Sequence, residues 1–224
     1  MKERTKWGKT PFVPALLADR IPRSTVARLP VYLRALLDEA LADKVLVSSG
    51  RLAVLTGLSA ATVRKDLAVL RSPGIRGVGY DVRALVDQIS DTLGLHRGSS
   101  IVIVGIGHIG RALAGYGGFA DRGFRVSALF DADPAKVGLE MGGRVVQPID
   151  DLPAVVAASG PTIAIVAVPT EVAQDVVNRL VDAGVTSILS FQPTELSVPE
   201  HVMLRNVDLA VELQILACMQ SQRS

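Results

Sequence analysis

The stretch IVIVGIGHIG at residues 101–110 decides the fold of most of this chain. Its four leading apolar residues are typical of a short buried strand, and the residues that follow, to about Tyr116, favour a helix. The three glycines have separate uses: Gly105 permits a tight turn, Gly107 lets a pyrophosphate approach the backbone, and Gly110 lets helix and strand pack closely. The stretch therefore predicts the strand–turn–helix unit of a dinucleotide-binding fold.

A carboxylate is expected where the second strand of such a unit ends, and the sequence supplies one. Residues 125–130 have the apolar pattern of a strand, and Asp131 follows directly, 21 positions after Gly110. A carboxylate there accepts hydrogen bonds from ribose hydroxyls and repels a 2′-phosphate, which favours NAD(H) over NADP(H). Asp133 is the alternative ligand, unless it only caps the turn before Pro134.

The rest of the second half alternates strand and helix patterns. Strand patterns at residues 144–146, 162–168 and 187–191 alternate with helical patterns at 152–158 and 171–183. Such alternation predicts a doubly wound parallel α/β sheet, the Rossmann fold, with helices on both faces. Beyond residue 206 the pattern is helical again, with an apolar stripe of Leu209, Leu213, Leu216 and Met219.

The first third of the chain differs from the rest in charge. Residues 1–83 hold 15 basic and 7 acidic residues, whereas residues 84–224 hold 9 basic and 15 acidic ones. A basic region joined to an acidic one predicts two domains with different partners, and nucleic acid is the candidate partner of the first. The alternative is a basic face that is only solvated.

Helical patterns in the basic region predict a helix-turn-helix. A helix capped by Ser24 is expected over residues 24–37, with Pro30 bending or restarting it. A second helix is capped by Ser49, and the turn at residues 57–59 joins it to a third. In this arrangement the last helix enters a DNA major groove.

The third helix, residues 60–70, carries two basic side chains away from its apolar stripe. Arg64 and Lys65 lie off the apolar positions 63, 67 and 70, so they are free to face DNA or solvent. Arg64 is the candidate for a guanine edge and Lys65 for a phosphate. The glycine-rich residues 72–80 predict a turn or hairpin at the position of a wing, and residues 82–94 predict a further helix.

The sequence offers no evident catalytic centre. None of the three histidines, His96, His108 and His201, has an obvious carboxylate partner, so no general acid or base stands out. There is no metal-ligand spacing, no apolar run long enough to cross a membrane, and only one cysteine, so no internal disulfide forms. We therefore expect no catalytic residue, no metal, no membrane partner, and a cytoplasmic protein that binds its nucleotide without consuming it.

Taken together, these segments resemble the Rex family of redox-sensing transcriptional repressors. The resemblance covers about residues 21–216 and rests on the glycine loop with residues 21–34, 62–67, 76–80 and 130–134. It implies a homodimer whose subunits each have a winged-helix domain, a Rossmann domain and a C-terminal helix swapped onto the partner. It also implies binding to palindromic operator DNA when NADH is scarce relative to NAD+, and release when NADH closes the dimer.

The resemblance, with the motifs above, assigns roles to individual residues. The residues implied to bind NADH and NAD+ are Gly105, Gly107, His108, Ile109, Gly110, Asp131, Asp133, Lys136, Val137, Val168, Pro169 and Phe191. Those implied to contact DNA are Ser59, Thr62, Arg64, Lys65, Arg76 and Gly77. A family hydrogen-bond switch that senses the redox state of the nicotinamide matches Arg34, Tyr116 and Asp208.

Five segments are expected along the chain. They are a flexible arm over residues 1–20, the winged-helix domain over 21–83, a linker helix over 84–98, the Rossmann domain over 99–205, and a dimerisation helix over 206–224. Two alternatives to a repressor remain open. One is an NAD-dependent oxidoreductase with an N-terminal helical appendage, and the other is a CoA- or nucleotide-binding module of a larger complex.

Overall fold

The computed structural model describes residues 21–72, 74–75, 77–159 and 162–221, which form two compact units that divide after Gly98. The predicted N-terminal arm and Arg76 lie outside the described residues. Each unit has its own hydrophobic core, as the opposite charges of the two regions of the sequence predicted.

The N-terminal unit is a small helical domain with a two-stranded ribbon. Its elements are α1 (Arg23–Leu41), β1 (Leu46–Val47), α2 (Ser49–Thr56), α3 (Ala60–Val69), β2 (Tyr80–Asp81) and α4 (Val82–Thr92). The helices bury one face each around Leu29, Leu36, Leu52, Leu67 and Leu85. The antiparallel pair β1–β2 joins Leu46 to Asp81 and Val47 to Tyr80.

The helix-turn-helix forms where the sequence predicted it, with small differences at the caps. Gly57 ends α2 in the left-handed region, with φ 69°, and the Ser59 hydroxyl caps α3 by accepting from the Thr62 backbone N–H. The cap of α2 is Ser48 rather than Ser49, because the Ser48 hydroxyl accepts from the Arg51 N–H. The structure thus confirms one predicted cap and shifts the other by one residue.

The first helix corrects two predictions. It begins at Arg23 with Pro22 as the flanking residue and has no side-chain cap, so Ser24 is not its cap. It also continues through Pro30 to Leu41 as one 19-residue element, so it does not restart there, and a bend at Pro30 stays a prediction. Packing of a long apolar face in the domain core, with Leu29 and Tyr32 fully buried, outweighs the lost hydrogen bond at Pro30.

Two local features complete this unit. After α3 the chain makes a tight turn in which Ile75 and Gly79 pair as an isolated bridge, which is the small hairpin predicted for the wing position. The helix α4, which the sequence suggested as a linker, packs into the N-terminal core through Val82, Leu85 and Ile89. The compact N-terminal unit accordingly extends to Gly98.

The C-terminal unit is a seven-stranded sheet with helices on its faces. Its elements are β3 (Ser99–Val104), α5 (His108–Ala114), β4 (Phe124–Asp131), β5 (Glu140–Met141), β6 (Arg144–Pro148), α6 (Leu152–Ser159), β7 (Thr162–Val166), α7 (Thr170–Asp182), β8 (Ser187–Ser190), β9 (Met203–Asn206) and α8 (Leu209–Ser221). The strand order is β5-β6-β4-β3-β7-β8-β9, and every pair except β5–β6 is parallel. This confirms the doubly wound parallel sheet.

The sheet changes direction at β3, and this positions the site. The chain adds β4 and β6 on one side of β3, then crosses to add β7, β8 and β9 on the other. Beyond the carboxyl ends of β3 and β7 the two sets of connections diverge and leave a crevice, which is where ligands bind in such sheets. The apolar runs of β3 and β7 are buried on both faces, as a central parallel strand requires.

The last helix differs from all the others described. No residue of α8 is buried, and its apolar side chains Leu209, Leu213, Leu216 and Met219 are each more than half exposed. Val211 and Ile215 on other sides of the helix are exposed as well. By contrast α7 buries Val176, Val177 and Leu180 against the sheet. The predicted helix is present, and it leaves a large apolar surface uncovered within its own chain.

Candidate nucleotide crevice and DNA-binding face

A cavity of about 370 Å³ lies in the crevice at the carboxyl ends of β3, β4 and β7. Six of the predicted nucleotide-binding residues line it, namely Gly105, Gly107, Asp131, Lys136, Val168 and Pro169. His108, Ile109 and Gly110 continue the glycine loop into α5, Asp133 and Val137 lie in the turn after β4, and Phe191 follows β8. The fold therefore brings six of the predicted residues to one cavity, and their binding of a nucleotide stays a prediction.

Two of the loop glycines are required by the fold itself. Gly105 has φ +95°, and a Cβ there would lie 2.6 Å from the Ala167 carbonyl oxygen. A Cβ at Gly110 would overlap the Gly105 carbonyl, so this glycine lets α5 approach the loop closely. At Gly107 a Cβ would meet nothing within 4 Å. Gly107 is thus free of packing constraints and leaves open space at the cavity that it lines.

Asp131 is the polar centre of the crevice. Its carboxylate is 7% exposed and accepts from the Ile106 backbone N–H at 2.7 Å, from the Asp133 N–H at 2.9 Å and from the Lys136 Nζ at 3.1 Å. Burial alone would raise the pKa of this carboxyl, but the two N–H groups and the lysine outweigh burial and lower the pKa. Asp131 is therefore ionised at neutral pH and ties the glycine loop to the end of β4.

The other side of the cavity was not foreseen from the sequence. Ile149 and Val172 give it apolar lining, and the cavity also includes Arg179, whose Nη1 pairs with the Asp150 carboxylate at 2.8 Å. These residues come from the turn after β6 and from α7, so only the folded sheet brings them to the crevice. Val172 is 45% exposed, at the cavity.

A buried glutamine joins the two loops at the Val168 end of the cavity. The Gln192 side chain donates through Nε2 to the Val168 carbonyl and accepts from the Thr170 hydroxyl at 2.8 Å. Its backbone N–H also donates to the Ser190 hydroxyl at 3.1 Å. Gln192 thereby holds Val168 and Pro169 in fixed positions relative to Phe191, which neighbours it in the chain. No sequence pattern predicted this brace, because a single glutamine belongs to no motif.

The exposed face of α3 holds two of the residues predicted to contact DNA, Arg64 and Lys65. Arg64 and Lys65 are exposed, while Val63 and Leu67 are fully buried, as the periodicity predicted. The Arg64 Nη1 lies 3.3 Å from the Ser49 hydroxyl, and the Ser59 and Thr62 hydroxyls are 2.8 Å apart at the start of the helix. Gly77 lies in the wing turn with φ +81°.

The three residues matched to a switch lie in different units. Arg34 is exposed on α1 in the N-terminal unit, and Tyr116 and Asp208 lie in the C-terminal unit. Tyr116 is 51% exposed and packs edge-on against Phe119 with ring centroids 5.1 Å apart. The Asp208 carboxylate accepts from the Ala210 N–H at 2.9 Å, at the start of α8.

The described residues contain neither a metal-binding cluster nor a helix suited to cross a membrane. No group of three or more His, Cys, Asp or Glu side chains in that part of the chain is arranged to hold a metal ion. None of the described helices is both long and apolar enough to cross a membrane.

Comparison with known families agrees with this division of the chain. The family model of CoA-binding domains matches residues 96–194, and the model described as the N-terminus of putative DNA-binding proteins matches residues 20–68. A helix-turn-helix unit followed by a nucleotide-binding sheet defines the class of ligand-responsive transcription regulators.

Relatives identify the family within that class. The redox-sensing transcriptional repressor Rex of Streptomyces griseus is 53% identical over 211 residues, which span 94% of this chain and 83% of that protein. Rex of Desulfitobacterium hafniense is 46% identical over 197 residues, 88% of this chain and 94% of that protein. The chain belongs to the Rex family of redox-sensing transcriptional repressors.

Solved structures are similar over both units. RSP, a Rex-family repressor, in complex with β-NAD+ and operator DNA has a TM-score of 0.85 and 31% identity, covering 91% of this chain and 94% of that one. RSP in complex with β-NADH has a TM-score of 0.82 and 30% identity, with 91% and 95% covered.

Proposed function

We propose that this chain is a redox-sensing repressor that binds operator DNA and is released from it when NADH occupies the crevice at the ends of β3 and β7. The observation that carries the proposal is the presence, in one chain, of an exposed basic recognition helix and a crevice with an ionised carboxylate at the end of β4. The Rex-family structures with NADH and with NAD+ plus operator DNA support it.

The cofactor is assigned to the crevice by its chemistry. The backbone of the loop at Gly107 receives the pyrophosphate, and Asp131 accepts from an adenosine ribose hydroxyl. Asp133, Lys136 and Val137 border the adenosine end, while Val168, Pro169 and Phe191 border the nicotinamide. His108, Ile109 and Gly110 belong to the loop that turns around the phosphates. A second phosphate on the ribose would meet two carboxylates, so NADPH is a poor ligand.

DNA is assigned to the face of α3. Arg64 reads a base edge in the major groove, and Lys65, Ser59 and Thr62 contact the phosphate backbone at the start of the helix. The wing residues Arg76 and Gly77 reach the adjacent groove. The exposure of Arg64 and Lys65 on a capped helix supports this assignment.

The regulatory unit is proposed to be a homodimer that binds a palindromic operator. The uncovered apolar surface of α8 supports a role for residues 206–224 as a dimerisation helix swapped onto the partner subunit. Residues 99–205 then supply the nucleotide-binding domain and residues 21–83 the winged-helix domain, which α4 completes in a unit that ends at Gly98. Arg34, Tyr116 and Asp208 are the proposed switch between the two.

Thermodynamic linkage sets what the mechanism requires. NADH releases DNA only if its affinity is higher for the dimer conformation that cannot bind DNA than for the conformation that can. A dimer must present two recognition helices at a fixed separation to occupy successive major grooves, so a small change in their spacing abolishes simultaneous contact. No chemical step is required. The relatives are repressors rather than enzymes, so an oxidoreductase is not favoured. We propose the cytoplasm as the site of action, with no metal.

The test is a titration of the purified full-length chain bound to DNA. The probe is a duplex selected by this chain from a random library in the absence of NADH, and the additions are NADH, NAD+ and NADPH at equal concentrations. We expect micromolar NADH to release the duplex and NADPH to leave it bound. DNA binding that ignores all three nucleotides would contradict the proposal.

Two variants separate the parts of this proposal. Arg64→Ala should weaken DNA binding and leave NADH binding unchanged, because it lies in the other unit from the crevice. Leu213→Glu in α8 should convert the dimer to a monomer in light scattering, because a charge would replace an apolar contact. A variant that remains a dimer would mean that α8 is not the interface.

A further inference from the structure

We infer that Asp66 is a positioning residue that orients the recognition helix α3 against α1, and so decides how Arg64 and Lys65 meet a DNA groove. The inference rests on the proposed role of α3 in operator binding. It concerns the hidden side of that helix, because Asp66 is only 1% exposed while Arg64 and Lys65, the residues that precede it, face solvent.

The Asp66 carboxylate is completely surrounded by donors from a single helix. Its Oδ1 accepts from the Thr25 hydroxyl at 2.8 Å and from the Arg28 Nη2 at 2.7 Å. Its Oδ2 accepts from the Arg28 Nε at 2.6 Å and from the Tyr32 hydroxyl at 2.8 Å. Two donors on each oxygen fill the acceptor capacity of a carboxylate. All three donor residues lie on one face of α1, spaced by three and four positions.

This contact is directional in a way that the apolar contacts of α3 are not. Val63 and Leu67 pack α3 into the core, but apolar packing tolerates small rotations of a helix about its axis. A guanidinium that binds a carboxylate through two parallel N–H groups fixes both its distance and its plane. The Arg28 pair, with the Tyr32 and Thr25 hydroxyls, therefore locks the rotation of α3 relative to α1.

Rotation of α3 matters for reading DNA. A side-chain atom about 6 Å from a helix axis moves by about 1 Å for each 10° of rotation, given the usual radius of a helix with its side chains. A bidentate contact to a base edge requires both hydrogen bonds to stay within a few tenths of an ångström of their best length. A lock on the hidden face is therefore needed for specific contacts on the exposed one. Phosphate contacts through flexible side chains tolerate such a shift.

The charges agree with a positioning role. Burial would raise the pKa of Asp66, but hydrogen bonds from Arg28, Tyr32 and Thr25 outweigh burial and lower the pKa, so the carboxylate remains ionised. A buried ion pair adds little net stability, because desolvation cancels most of the attraction, yet it penalises every arrangement that separates the charges. This pair therefore contributes more to the geometry of the domain than to its stability.

The same domain supplies a matched control. Glu39, also on α1 and 7% exposed, binds the Arg51 guanidinium through Nη2 at 2.7 Å and Nε at 3.1 Å. This second carboxylate–arginine pair, in which the Arg51 side chain is 54% exposed, joins α1 to α2. Glu39→Gln and Asp66→Asn are therefore matched in chemistry, and only the second removes the lock on the recognition helix.

The experiment compares specific with non-specific DNA binding by the full-length variants. The probes are the duplex selected from the library by the wild-type chain and a scrambled duplex of equal length and composition. For Asp66→Asn we expect the affinity for the selected duplex to fall about tenfold or more, while the affinity for the scrambled duplex stays within about twofold. Glu39→Gln should lower the melting temperature by about as much as Asp66→Asn does. It should change the ratio of the two affinities by less than about twofold.

Four outcomes would count against the inference or against the role of α3 on which it rests. Equal changes of the ratio in Asp66→Asn and Glu39→Gln, or an unchanged ratio in Asp66→Asn, would overturn the inference. If Asp66→Asn does not fold, Tyr32→Phe is used instead, because it removes one neutral donor and keeps the Arg28 pair. It should lower the ratio of selected to scrambled affinity about threefold. An unchanged ratio would again overturn the inference. Arg64→Ala is the separate test of α3 itself: if it leaves binding to the selected duplex intact, the proposed role of α3 fails, whatever Asp66 does.

Discussion

Among the described residues, each of the two units contains one buried aspartate that collects hydrogen bonds, and these two aspartates differ in one respect. In the N-terminal unit Asp66 accepts four side-chain hydrogen bonds, two on each oxygen, and has no acceptor capacity left. In the C-terminal unit Asp131 accepts two on Oδ2, from Ile106 and Lys136, but from the described residues Oδ1 receives only the Asp133 N–H. We call the Asp66 carboxylate closed, because all its acceptor positions are occupied, and the Asp131 carboxylate open, because one position on Oδ1 is free.

This difference separates a structural carboxylate from a ligand-binding one. Both groups are ionised, because donors lower both pKa values in spite of burial. Asp131 lines a cavity, and its Oδ1 has room for one more donor, which we propose to be a ribose hydroxyl. A closed carboxylate only orients helices or strands of the protein, whereas an open carboxylate can also accept a hydrogen bond from a ligand.

The largest expected effect is that of Asp131→Ala on NADH binding. Removal of the carboxylate loses a hydrogen bond between the ribose and a charged acceptor, which costs about 1.5–3 kcal/mol of binding free energy. We expect the NADH affinity, measured by nucleotide fluorescence, to fall about 100-fold. Affinity for the selected duplex without NADH should not change.

Asp133→Ala is the control for that change. Its carboxylate is 48% exposed and caps the local turn by accepting from the Ala135 N–H, so its loss should lower NADH affinity only about twofold. A larger loss in Asp133→Ala than in Asp131→Ala would show that the wrong carboxylate has been assigned to the ribose.

The open carboxylate was predictable from sequence, and the closed one was not. Asp131 follows a strand in a motif whose spacing is local, so residues within about 30 positions identify it. Asp66 receives its donors from residues 34 to 41 positions away, a distance at which no sequence pattern operates. One signal was available: position 66 falls on the same helical face as Val63 and Leu70, so an acid there had to be buried.

Other elements escaped prediction for related reasons. The strands β1 and β2 have two residues each, too few for any periodicity, and they form because the wing turn brings them together. The strand β9 follows a loop rich in polar residues and proline. The second half of the strand is exposed, so its residues show no alternation of apolar and polar side chains. The brace by Gln192 and the pairing of Arg179 with Asp150 depend on side chains that only the sheet order brings to the crevice.

The second prediction concerns Gly107, which lines the same cavity as Asp131. Gly107→Ala adds a methyl group that meets nothing in the protein, at φ −85°, which any residue adopts. The variant should therefore melt at the wild-type temperature but bind NADH about 30-fold more weakly, because the methyl group occupies the path of the pyrophosphate. Gly110→Ala should instead lower the melting temperature, because its Cβ overlaps the Gly105 carbonyl. If Gly107→Ala binds NADH normally, the pyrophosphate does not approach this loop.

The third prediction uses pH to measure the closed carboxylate. The folded-state pKa of Asp66 lies below its ordinary value of 3.8, so its contribution is present above about pH 4 and is lost as the pH falls through the folded pKa. Asp66→Asn lacks this contribution at every pH. The gap in melting temperature between wild type and Asp66→Asn should be about 3 °C at pH 7, for a difference of about 1 kcal/mol, and should narrow below pH 4. A gap that widens in acid would mean that Asp66 is protonated in the folded protein.

The smallest expected effect is that of Lys136→Gln. The Lys136 ammonium pairs with Asp131 at 3.1 Å and is 29% exposed, so water and salt screen it and its contribution is below about 1 kcal/mol. It orients the carboxylate but leaves the free position on Oδ1 unchanged, so we expect NADH affinity to fall about threefold in fluorescence titration, and less at high salt. A loss as large as that of Asp131→Ala would instead mean that the ammonium itself binds the nucleotide. The open site would then be a carboxylate–lysine pair, and Asp131 would share with Asp66 the role of holding a cation in place.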